Sequence, residues 1–187
     1  MMSMTLSRRS ASLLLAVAAA LVVVPHVARA ESEAGLHADA RAALESLYKQ
    51  TPAAKALGER AKAILVFPNV VKAGFIVGAQ YGDGVLIKAG KITGDYNTVT
   101  GSVGYQAGVE KFGYALFLMS DAAIKYLNKS DGWELGTGPE IVIVDTGAAA
   151  QISTTTGRKD VYAFYFDQKG LMAGVSLQGT KVTRVHR

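Results

Sequence analysis

Between residues 36 and 50 the apolar positions Leu36, Ala40, Ala43, Leu44, Leu47 and Tyr48 line one face of an amphipathic helix. Thr51-Pro52 closes this helix and opens a second, with Thr51 able to cap and Pro52 suited to the first helical position. The second helix is expected to reach about Ala63, and it carries Lys55, Glu59, Arg60 and Lys62. The period then changes. Residues 64–67 read as an entry strand stopped by Pro68, and from 71 to 108 glycine recurs at 74, 78, 82, 84, 90, 94, 101, 104 and 108, too often for helices. Short β-branched and aromatic runs at 75–77, 85–87 and 99–103 separate the glycines, so this stretch predicts a meandering antiparallel sheet with Asp83-Gly84 as a hairpin turn.

Further on, Tyr114, Leu116 and Leu118 alternate with Ala115, Phe117 and Met119, which predicts a strand buried on both faces. Ser120-Asp121 caps a short helix ending near residue 128, and the lone Trp133 reads as the anchor of the following loop. The wholly apolar run 141–144 predicts another central strand, 148–157 an edge strand or a loop, 161–166 a strand apolar on both faces, and 170–185 one or two closing strands. Together these predict one α+β domain: an N-terminal helix pair, then a curved, mostly antiparallel β-sheet or barrel-like sandwich with one short inserted helix.

Charge and targeting change this picture at the N-terminus. Arg8 and Arg9, an apolar core at 13–24 and Ala28-Arg29-Ala30 are the three parts of a secretory signal, so residues 1–30 are expected to be removed and 31–187 to form the domain. The apolar core is shorter than the roughly 20 residues that span a bilayer. Residues 1–30 hold three of the 20 basic residues and none of the 15 acidic ones, which leaves the remainder at +2. So near-neutral a chain argues against nucleic acid as a partner. The absence of cysteine excludes disulfides, thiolate metal sites and a lipid-modified N-terminal cysteine.

Catalytic chemistry is thinly supported. His37 and His186 lie near the ends of the expected domain, where a rigid geometry is hard to hold, and no internal histidine can serve a serine nucleophile. Asp145, Asp160 and Asp167 are the acidic residues nearest to apolar strands, and a pair of them could do acid-base work or bind a cation; against this, Asp145 leads into Thr146-Gly147 and Asp167 into Gln168-Lys169-Gly170, both turn compositions. Neither the Walker pattern nor G-x-G-x-x-G occurs. The expectation is a protein that is not an enzyme, with no cofactor and no metal.

KAGFIVGAQYGDGVLI (72–87), its glycine-rich continuation to Gly108, and QKGLMAGVSLQGTKVTR (168–184) resemble the SYLF-domain family in its bacterial exported branch, over about residues 35–185. The resemblance implies a β-rich α+β domain associated with lipid binding. In eukaryotic relatives the domain binds phosphoinositides and, in some fungal members, actin filaments, often beside Src-homology-3 or FYVE modules. An exported bacterial protein meets neither, so those partners are not carried over. Lipid binding in the eukaryotic members is attributed to an N-terminal amphipathic helix with basic residues, which here points to the helix at 36–48 and to Lys55, Arg60 and Lys62. The expected partners are phospholipids or the membrane surface of the periplasm or cell envelope. The alternative is a structural or protein-interaction module of the envelope.

Overall fold

Ser32 opens the first helix by accepting a hydrogen bond from the Gly35 amide at 3.1 Å on its hydroxyl, with Glu33 in the first turn and Lys49 in the last, as the helix dipole favours. The helix α1 (Glu33–Gln50) buries Leu36, Ala40, Leu44 and Leu47, the stripe its periodicity specifies. A second helix, α2 (Pro52–Gly58), follows with Pro52 in its first turn. The computed structural model describes residues 32–74, 77–103, 108–129, 132–144, 159–170, 177 and 179–186. The predicted element at 148–157 and most of 170–178 therefore lie outside the described residues.

Among the described residues eight strands form a single, strongly curled sheet: β1 (Ala63–Gly74), β2 (Val77–Lys88), β3 (Lys91–Val103), β4 (Gly108–Leu118), β5 (Trp133–Glu134), β6 (Ile141–Val144), β7 (Val161–Gly170) and β8 (Lys181–Val185). Their order is β5-β8-β3-β2-β1-β4-β7-β6, antiparallel throughout except for the β6–β7 pair. The third helix, α3 (Asp121–Leu127), is capped by Ser120, whose hydroxyl accepts from the Ala123 amide at 3.2 Å. The α+β class, the N-terminal helix pair, the curved antiparallel sheet and the short inserted helix are all present.

Strand alternation divides the apolar residues between two cores. Leu65, Phe67, Tyr114, Leu116, Val161 and Ala163 point to the face closed by α3 and Trp133. Val66, Val85, Ala115, Phe117, Phe164 and Phe166 point to the face covered by α1 and α2. The central strands are thus buried on both sides over residues 63–67 of β1, 112–118 of β4 and 161–166 of β7, as the two-faced patterns of 112–119 and 161–166 predict. Trp133 is an anchor: it is buried, and its indole N–H donates to the Thr137 carbonyl at 3.0 Å.

Five expectations are corrected. The second helix stops at Gly58 rather than near Ala63, because the Lys62 amide already donates to Leu118 O at 2.9 Å and draws the chain into the sheet. Thr51 precedes it without a side-chain capping bond. Pro68 does not end its strand: β1 continues to Gly74, and the register shifts on both sides of Pro68 form an irregularity that accommodates a residue with no N–H. Asp83-Gly84 lies inside β2, not in a turn. The β2–β3 turn is Ala89-Gly90, at φ 48° and 75°, between the paired residues Lys88 and Lys91. Gly84 instead makes room for packing, since a Cβ there would lie 2.4 Å from the Phe67 ring and 2.5 Å from the Val66 carbonyl. Finally, among the described residues β6 is the edge strand and not a central one: β7 pairs with it on one side, and its Ile143 is exposed.

Candidate functional site

The face covered by α1 and α2 continues past them. Asn69 Nδ2 reaches Asp39 Oδ2 at 3.3 Å, near the limit of the helix's cover. Beyond this point the same alternation that buries Val66, Val85 and Ala115 places Val71, Val77, Tyr81, Val99 and Val109 outward, each 41–68% exposed. The residues are neighbours by register: Val71 lies opposite Tyr81, and Tyr81 opposite Val99. Ala73 lies opposite both Ala79 and Val109, which extends the apolar strip by one row. The row Val71-Tyr81-Val99 continues to Lys181 of β8 on one side and to Lys111 of β4 and Lys169 of β7 on the other, all three exposed. Asp83 borders the strip and accepts the Tyr81 hydroxyl at 2.9 Å. An uncovered apolar strip rimmed by lysines suits a surface that carries acyl chains beneath anionic or phosphate headgroups.

The basic residues singled out in the sequence lie elsewhere. Lys55 sits on α2, and Arg60 and Lys62 follow it before β1; all three are exposed. Lys62 is engaged with Asp121 at the start of α3. From Lys62 to Val71 is nine residues of mostly extended chain, roughly 25–30 Å, so these residues and the apolar strip are separate surfaces. The strip was readable only as alternation in Val77, Ala79, Tyr81 and again in Val99, Gly101. That alternation does not say which face the helices leave open.

Of the candidate acids, Asp145 lies outside the described residues. Asp160 accepts the Met119 amide on its carbonyl at 2.8 Å, while Asp167 is exposed at φ 52° beside the β4–β7 register shift. Seven residues of strand, about 20 Å, keep the two apart. The expectation that His37 lacks a rigid setting is corrected: its Nε2 lies 2.9 Å from Oδ1 of Asp95, a buried residue of β3 on the face that α1 covers. The two line a cleft of about 260 Å³ together with Glu33, Arg184 and His186.

On the opposite face, past the end of the apolar core, lies a buried polar group. Gln80 and Glu110 both stand opposite Lys72, and with Tyr165 they hold three buried atoms without a hydrogen-bond partner among the described residues: Gln80 Nε2, Glu110 Oε2 and Tyr165 Oη. Burial, reinforced by the Glu110 carboxylate, pushes the Tyr165 phenol above its ordinary range. Burial likewise raises Tyr114, whose hydroxyl donates to Thr98 Oγ1 at 2.6 Å.

Among the described residues no helix is long and apolar enough to cross a membrane. No curated protein matches the chain. Residues 99–186, which run from the middle of β3 to the end of the described chain, match the family model Ysc84, Las17-binding protein actin regulator, and over that stretch the chain is similar to this SYLF-domain family.

Proposed function

We propose that the protein is a non-enzymatic, exported lipid-binding protein that lays the helix-free end of its sheet on a phospholipid surface in the cell envelope. Export rests on the signal-like segment 1–30, and lipid as the ligand on the similarity to the SYLF-domain family. The observation that carries the reading is the register that aligns Val71, Tyr81 and Val99 between Lys181 and Lys111-Lys169. Burying the exposed part of each apolar side chain contributes about 1 kcal/mol, and each lysine near an anionic surface about as much. Neither set alone gives firm attachment, and together they do. The experiment is sedimentation of the purified protein with neutral and anionic vesicles at low and high salt. Retention on anionic vesicles that falls as salt rises is expected. Failure of both vesicle types to retain it overturns the proposal.

A second reading is favoured by the other edge of the sheet. Among the described residues the apolar strand β6 ends the sheet, with Ile143 exposed beside a cleft of about 460 Å³ lined by Leu135, Pro139, Ile141 and Leu177. An added strand from an envelope protein would pair with this edge, and the family description names a protein contact. A partner crosslinked at Ile143 in intact cells, with no vesicle retention, would select this reading.

A further inference from the structure

We propose that Glu33, His37 and Asp95 form a binding site for a divalent transition-metal ion of the zinc class, with His186 within reach of the same cleft. This site is independent of the lipid surface. Glu33 and His37 are four residues apart on α1 and so share one side of the helix. Asp95 meets them from β3, 58 residues away from His37 in the chain. One ligating atom from each of the three lies within 4.8 Å of the others, and the closest pair, His37 Nε2 and Asp95 Oδ1, is at 2.9 Å. A tetrahedral zinc ion with bonds of about 2.0–2.2 Å holds its ligand atoms roughly 3.4 Å apart. The closest pair must therefore spread slightly and the exposed Glu33 carboxylate swing inward, both within the freedom of side chains at the mouth of a cleft.

The local charge favours a cation. Asp95 is 8% exposed, and a carboxylate that far from water is costly unless compensated. His37 supplies one partner. The guanidinium of Arg184 also lines the cleft, where its Nη2 donates to the Thr93 carbonyl at 3.3 Å. Two carboxylates against one guanidinium leave the cleft negative before an ion enters. The mixed imidazole and carboxylate set suits zinc better than magnesium or calcium, which prefer oxygen alone. Binding uses the lone pair of His37 Nε2, so a proton carried there moves to Nδ1 or to solvent. A bound ion would tie α1 to β3, adjoining the C-terminal strand β8 through Asp95, which lies opposite Val185.

The test is calorimetric titration of the chelator-treated, purified protein with zinc chloride, with magnesium chloride as control, alongside thermal melts with and without zinc. One equivalent of zinc, a melting temperature raised by excess zinc, and no magnesium binding are expected. His37→Gln and Glu33→Gln should each weaken zinc at least roughly tenfold and remove the zinc-dependent rise. Glu33 is exposed, so Glu33→Gln decides the matter even if His37→Gln fails to fold. A wild-type protein that takes up no zinc, or a Glu33→Gln protein that binds it as well as wild type, overturns the proposal.

Discussion

Lys111 and Lys169 stand directly opposite one another on neighbouring strands and are both exposed, a like-charge cross-strand pair that folding alone would not select. Repulsion of this kind costs about 0.2–1 kcal/mol, and replacing one member with an acid turns it into attraction of similar size. Lys169→Glu is therefore expected to stabilise the fold by about 0.5–1 kcal/mol, a rise of about 1–4 °C in melting temperature for a domain of this length. On an anionic membrane the same change removes about 1 kcal/mol of attraction and adds about as much repulsion. Affinity for anionic vesicles should fall about 30-fold. The two assays, a thermal melt and vesicle sedimentation at low salt, are predicted to move in opposite directions. Lys55→Glu, on α2 and away from the strip, is the control: at about 0.15 M salt, where the Debye length is about 8 Å, it should change vesicle binding by no more than about threefold. A Lys169→Glu protein that binds vesicles unchanged, or a Lys55→Glu protein that loses as much, would refute the assignment of the contact to the sheet face.

The remaining predictions concern the frame that holds this face. Gly84→Ala places a methyl group into the Phe67 ring and the Val66 carbonyl and should cost roughly 1–3 kcal/mol in urea denaturation; an unchanged midpoint would mean that Gly84 is not there for packing. Phe117→Ala removes a fully buried ring that packs edge-on against Phe164 at 5.2 Å, and a loss of about 3–5 kcal/mol is expected, against which a loss below 1 kcal/mol would count. Tyr114 and Tyr165 are both raised by burial, so in the folded state they remain neutral above pH 10 while the unfolded chain ionises. The unfolded state then binds fewer protons than the native one, and stability must fall as pH rises past about 10. The stabilisation is fully present below that pH. Denaturant midpoints at pH 8 and pH 11 measure the fall, and the double variant Tyr114→Phe/Tyr165→Phe should show a smaller one; an equal fall would place the effect elsewhere.

Legibility followed the range of the interactions. The stripe Leu36, Ala40, Leu44, Leu47 and the Ser120 cap are local, set by residues three or four apart, and the sequence alone determined them. The two-faced burial of β4 and β7 was equally readable, because an unbroken apolar alternation has no solvent face to offer. The glycines were misread where their reason is a neighbour. Asp83-Gly84 looks like a turn in sequence, yet Gly84 exists to admit the Phe67 ring, and the turn fell to Ala89-Gly90 once Lys88 paired with Lys91. Pro68 looks like a stop, but a register shift in both neighbouring ladders absorbs its missing donor. The run at 141–144 carries the composition of a central strand, and only the strand order puts it at an edge among the described residues. The candidate surfaces were less legible still. Val71, Tyr81 and Val99 become one strip, and His37 meets Asp95, through pairings between distant segments. Sequence determined which residues are apolar and how each segment alternates; tertiary structure decided which alternate face the helices cover, because α1 and α2 are long enough to cover only one end of the sheet.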